Sequence, residues 1–150
     1  MTTLDKPSAT PSRILYTMVR VTDLDRSLAF YRDALGMREL RRETFSDARF
    51  TLVFIGYDDE TSNAVLELTY NWDQDTYKHG TGYGHVALEV QDIYATCEHL
   101  TKLGAKFVRA PGPMMAAPDE TGEREVIAFI EDPDGYRIEL IESRPDLIER

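Results

Sequence analysis

The sequence has little of what would place a protein outside the cell or on a nucleic acid. Of its 150 residues only one is cysteine, Cys97, so no internal disulfide can form, which fits a reducing compartment. No apolar run approaches the roughly 20 residues that span a bilayer, and Met1 to Ser12 is polar rather than signal-like. These absences lead us to expect a cytoplasmic protein with no membrane partner. Basic residues are also scarce: 17 Lys and Arg stand against 27 Asp and Glu, a formal net charge of −10. Such a surface repels the phosphates that a nucleic-acid binder must neutralise, so DNA and RNA are poor partners. What the chain does have is 42% hydrophobic and 10% aromatic residues, enough for one packed domain, with a mean hydropathy of −0.40 that leaves the surface charged.

Residues 1–13 lack apolar periodicity and read as a flexible tail, and residues 143–150 as a second one. Between them the order of elements repeats. From Ile14 the run ILYTMVRV reads as a strand, and TDLDRSLAFYRDALG as a helix with Leu24, Leu28, Tyr31 and Leu35 at helical spacing. Thr22 or Asp23 suits the helix start, and Gly36 its left-handed end. Three strand-like runs follow, around 37–42, 50–56 and 64–70, with the turn-rich YDDETSN before the last. GHVALEV then opens a second round. The helix QDIYATCEHLTKLG carries Ile93, Cys97, Leu100 and Leu103 on one face, before AKFVRAP, EVIAFIED and GYRIELIE, with DPDG as the last hairpin turn. The pattern predicts an α+β fold of two paired βαβββ modules, about 14–72 and 83–142, in one domain over 14–142. Cys97 falls on an apolar helix face and is expected to be an inert packing thiol.

The two copies align at VRVTDL (19–24) with LEVQDI (88–93), an offset of 69, and at VLEL (65–68) with RIEL (137–140), an offset of 72. This sets Tyr16 against His85 and Glu67 against Glu139. A single glutamate in an apolar strand most often faces solvent. Two at matched positions, each beside a matched polar residue, require something to compensate the charge. A divalent cation held by carboxylate oxygens and an imidazole nitrogen would do so, and this mixed donor set suits nickel, cobalt, zinc or manganese. Residues two apart share a strand face, so Arg20 lies with Tyr16, and Asn71 with Glu67. An arginine and an amide beside the metal would suit an anionic, peptide-like ligand. Arg109, in the second module, is a further candidate, alongside the reading that it is a solvated surface residue. His79 and His99 have no matched partner and are expected to be surface or packing histidines.

The phrases TMVRVTDLDRSLAFYRDALGM, AVLELTYNW, GTGYGHVALEV and FIEDPDGYRIELIE closely resemble the glyoxalase I (lactoylglutathione lyase) family of the vicinal-oxygen-chelate superfamily, from about Ile14 to Glu142. The resemblance implies a cytoplasmic homodimer in which modules pair across subunits, the sheets forming a cupped site at the dimer interface. It implies one divalent metal per site, nickel or cobalt in preference to zinc or manganese, held by Glu67, His85 and Glu139. Glutathione would be the cosubstrate, held by Arg20, Asn71 and Arg109. The implied reaction isomerises the methylglyoxal–glutathione hemithioacetal to S-lactoylglutathione through a metal-stabilised enediolate, with Glu139 as base and Glu67 assisting. One position departs from the family: its fourth ligand, a His or a Gln directly before Thr-Met, is here Tyr16. A phenolate can ligate, but the metal must drive its deprotonation from a pKa of about 10; alternatively three protein ligands and water complete the site, or isomerase activity is lost. The segment Pro113 to Glu125 is also longer than in short relatives.

Two other readings stay open on this fold. A third, an extradiol-type dioxygenase, would need a His at position 16, and Tyr16 argues against it. A noncatalytic ligand-binding protein would leave the matched carboxylates and His85 unexplained. An isomerase of the same kind could use another thiol.

Overall fold

The computed structural model describes residues 8–144. The tails expected at 1–13 and 143–150 therefore fall mostly outside the described residues. Among the described residues eight strands form two four-stranded sheets with the same internal order. Sheet one runs β1 (Tyr16–Val21), β4 (Val65–Asn71), β3 (Phe50–Gly56), β2 (Arg38–Phe45); sheet two runs β5 (His85–Val90), β8 (Arg137–Glu142), β7 (Val126–Glu131), β6 (Lys106–Pro113). In each sheet the first and last strands of the module lie parallel at its edge and centre, while the remaining pairs are antiparallel. An antiparallel sheet is the simpler expectation for such short connections, but a helix between first and second strands makes the parallel return possible.

Register confirms the duplication. Tyr16 pairs with Val65 and His85 with Arg137, which reproduces the offsets of 69 and 72; Glu67 lies opposite Met18, and Glu139 opposite Ala87. On β1 the alternation is plain: Val19 and Val21 are buried, while Tyr16, Met18 and Arg20 face the other way and are exposed.

The described residues divide into two compact units, and the division does not follow the repeat boundary: residues 25–35 cluster with 76–144, while 8–24 and 36–75 form the other unit. The first helical segment, α1 (Leu24–Leu28), continues as a π-helical stretch over Ala29–Ala34. Its buried residues Ser27, Leu28 and Tyr31 belong to the second unit, where the Tyr31 hydroxyl donates to Asp132 Oδ2 at 2.6 Å and Ser27 Oγ donates to Asp134. Gly36, at φ +75°, ends the helix as expected. The second α-helix, α2 (Ile93–Lys102), is capped by Asp92, whose carboxylate accepts the Ala95 N–H at 3.1 Å, and Gly104 at φ +81° follows its end. Ile93, Cys97 and Leu100 are buried, but Leu103 is exposed: as C-cap residue it has left the helical face on which the spacing placed it. Burial pushes the Cys97 thiol above its ordinary value, consistent with a packing role. His79 stacks on Tyr136 at 4.1 Å between ring centres, a packing histidine as expected.

Candidate metal centre and ligand-binding residues

The parallel edge pair of each sheet brings a module's first and last strands together, so one polar residue and one carboxylate end up as diagonal neighbours on one face. In sheet two His85 Nε2 lies 3.1 Å from Glu139 Oε1, with the imidazole edge-on to Phe129 at 5.0 Å. The His85 side chain is 38% exposed and that of Glu139 14%. The two donor atoms are thus open on one side and fixed on the other. Two ligand atoms each about 2.1 Å from a shared cation, at right angles to one another, are about 3 Å apart, so this separation fits metal binding without rearrangement.

In sheet one the Glu67 side chain is buried at 6% exposure between Met18 on β1 and Phe54 on β3. The Thr69 hydroxyl donates to its Oε2 at 3.3 Å. Burial raises the Glu67 carboxyl above the ordinary range, more than the Thr69 hydrogen bond and the charge of Arg41 lower it. A carboxylate so placed is under-compensated, and a cation is the partner its donor chemistry suits. The Tyr16 ring packs edge-on to Phe54 at 5.2 Å, next to Glu67. The structure therefore brings together Tyr16 with Glu67 and His85 with Glu139, one pair in each unit. Among the described residues no group of three or more His, Cys, Asp and Glu side chains is arranged to hold a metal.

Arg20 and Asn71 extend the same faces of β1 and β4 beyond Met18 and Thr69, Arg20 lying opposite Thr69. Arg109 is not a solvated surface cation: its guanidinium donates to the carbonyls of Gly112, Ile127 and Pro113 at 3.1, 3.0 and 2.7 Å. Three of its five N–H groups are used in holding the start of the long loop, and two are left for another partner. In that loop, from Met114 to Glu125, the Met115 side chain is 90% exposed.

Arg41 escaped the sequence reading. Its guanidinium lies 3.6 Å from the Phe54 ring centre and is gripped by Glu60 at 2.8 Å and Glu43 at 2.7 Å. Arg41 lies opposite Phe54 just as Arg109 lies opposite Phe129, each directly after a register shift. The offset from 41 to 109 is 68, close to the others, so the repeat itself carried the signal. The buried pair of Tyr31 and Asp132 could not be found this way, because no matched residue marks it.

A family model, the glyoxalase/bleomycin resistance protein/dioxygenase superfamily, matches residues 13–140. The chain belongs to that superfamily. Within it, a Synechocystis protein named a probable lactoylglutathione lyase is 53% identical over 130 residues, 87% of this chain and 95% of that protein. A lactoylglutathione lyase of Haemophilus influenzae is 53% identical over 132 residues, 88% of this chain and 93% of that protein. Among solved structures, glyoxalase I from Zea mays superposes with a TM-score of 0.79 at 41% identity; 87% of this chain is covered, and the chain spans 44% of the maize chain. A trypanothione-dependent glyoxalase I of Leishmania major gives a TM-score of 0.75 at 41% identity, covering 91% of each chain. An antibiotic-binding Streptomyces protein, TnmS3, shares the superfamily fold at 19% identity and a TM-score of 0.66, so the fold alone does not select the chemistry.

Proposed function

We propose that the protein is a lactoylglutathione lyase that isomerises the hemithioacetal of methylglyoxal and glutathione to S-lactoylglutathione, removing methylglyoxal. The observation that carries this reading is 53% identity, over nearly the full length of both chains, to proteins of that name. The donor chemistry supports it: His85 and Glu139 stand at a spacing that suits a shared divalent cation, the buried Glu67 is a carboxylate that would gain from one, and Tyr16 would be the fourth ligand, as phenolate or beside a water. When bound, the ion supplies Lewis-acid polarisation of the substrate oxygens; the mixed donors suit nickel, cobalt, zinc or manganese, and the family resemblance favours the first two.

The chain's own groups account for the proton movements. Glu139, with His85 against one oxygen, would take the proton from C1 and lose it to solvent; Glu67, held by Thr69, would give one at C2 and regain it from solvent, so both carboxyls end as they began. Arg20 and Asn71 hold the peptide-like part of glutathione, and Arg109 adds its two remaining N–H groups from the loop side. The protein acts as a cytoplasmic homodimer, each site taking Tyr16 and Glu67 from one copy and His85 and Glu139 from the other. Among the described residues no helix is long and apolar enough to cross a membrane.

The test is to strip the purified protein of metal, add back nickel, cobalt, zinc or manganese separately, and follow the thioester absorbance from methylglyoxal and glutathione. Activity restored by at least one metal is the expected result. Folded, dimeric protein with no turnover on any metal overturns it. The likeness to a trypanothione-dependent enzyme favours a second reading, the same isomerisation on another thiol, and the assay repeated with trypanothione separates the two.

A further inference from the structure

We propose that Arg49 is a positioning residue for Asn71, and through it for the thiol substrate. The inference rests on the reading that Asn71 grips that substrate. Arg49 ends the turn between β2 and β3 and, among the described residues, is the one non-glycine with a positive φ, +62°. That backbone region crowds a side chain's Cβ, and a residue kept there without being glycine or asparagine signals a conformation imposed by its surroundings. Three separate contacts impose it, all on the two residues that directly follow Asn71. The Arg49 carbonyl accepts the Trp72 N–H at 3.1 Å. Its guanidinium donates to both oxygens of Asp73, Nε to Oδ2 and Nη2 to Oδ1, each at 2.7 Å. The same guanidinium lies 5.4 Å from the centre of the Trp72 ring, whose indole N–H is fixed on Thr51 Oγ1 at 3.0 Å. The Arg49 N–H anchors the turn itself on the Phe45 carbonyl at 2.7 Å, and the next residue, Phe50, is the cross-strand partner of Asn71.

Asn71, the last residue of β4, is thus held from across the sheet by Phe50 and from its C-terminal side by an arginine clamp on residues 72 and 73. The clamp is solvent-exposed, and exposed ion pairs contribute little to stability. The ion pair's stability therefore does not account for an arginine side chain at this left-handed place. What the arrangement does fix is the exit of the chain from Asn71, and a side chain held in place before binding loses less freedom when the ligand arrives.

The experiment is calorimetric titration with S-methylglutathione, with melting temperatures in parallel, on the wild type, Asn71→Ala, Arg49→Ala, Arg49→Gly and the double variant Arg49→Ala/Asn71→Ala. Each single substitution is expected to weaken binding about fivefold or more, by loss of a contact or of preorganisation. Arg49→Gly relieves the left-handed residue, so it melts at or above the wild-type temperature and still binds as weakly as Arg49→Ala, which a merely structural role would not produce. The double variant binds no more weakly than Asn71→Ala alone, because Arg49 acts through Asn71. Wild-type affinity in both Arg49 variants, with weakened binding in Asn71→Ala, overturns the inference and leaves the reading of Asn71 standing. Losses in the double variant equal to the product of the single ones overturn it too, as independent action. Wild-type affinity in Asn71→Ala overturns the reading beneath it.

Discussion

At the scale of single residues, the most consequential buried group outside the proposed metal ligands is Asp132, 5% exposed and accepting from the Tyr31 hydroxyl and the Asp134 and Tyr136 N–H groups. Those three donors lower its pKa, but the loss of hydration on burial outweighs them and leaves the carboxyl above its ordinary range. A carboxyl raised by folding binds its proton more readily folded than unfolded, so its contribution to stability falls as pH climbs from the ordinary carboxylate range to the elevated value, and is level above it. Urea unfolding of wild type and Asp132→Asn across the acid range is expected to show the wild type losing ground to the variant through that window. Tyr31→Phe removes the shortest of the three bonds and leaves a buried oxygen without its donor; it is expected to cost about 1–3 kcal/mol, read as a shift in the urea midpoint. Glu139→Gln is expected to lower kcat by about 100-fold or more with an unchanged melting temperature, and turnover within about twofold of wild type removes it from the base role. For Tyr16→His, equilibrium dialysis is expected to show metal affinity equal to or above that of the wild type; a clear loss shows that the site is built around the phenol.

At the scale of elements, the strands were legible because a two-residue period and β-branched runs are local properties. The faces of β1 and β4 that carry Tyr16 and Glu67 were read from alternation alone, and the registers in both sheets bear that out. The parallel pairing was not legible, since it depends on where the chain returns after a helix. The helical segments show the same limit. Periodicity identified Leu28 and Tyr31 as inward-facing, yet could not say against what, and the answer is the unit that holds Asp132, a hydrogen-bond partner 101 positions away. In α2 the spacing placed Leu103 correctly on a helical wheel but one residue past the helix end. Leu100, 1% exposed, carries the apolar face of α2 against its sheet, so Leu100→Ala is expected to destabilise by about 2–5 kcal/mol in denaturant unfolding, whereas Leu103→Ala is expected to stay within about 0.5 kcal/mol of wild type.

At the scale of the whole molecule, the proposed pairing of units across subunits has a direct test. Glu67→Gln and Glu139→Gln are each expected to be inactive alone; when the two proteins are unfolded together and refolded as dimers, half the dimers would be mixed, and each mixed dimer would carry one intact site of two. The expected recovery is about a quarter of wild-type activity. No recovery shows that each site is built within one chain. The sequence by itself determined the duplicated βαβββ order, the strand faces, and the matched positions of Tyr16 with His85 and Glu67 with Glu139, because alternation and repeat offsets are written along the chain. Only the tertiary structure decided that Glu67 is buried and Glu139 stands against His85, that Arg109 is bonded to three carbonyls, and that Arg49 clamps the residues after Asn71. Burial and hydrogen-bond partnership arise between residues far apart in sequence, where packing against the rest of the molecule, rather than local preference, sets the outcome.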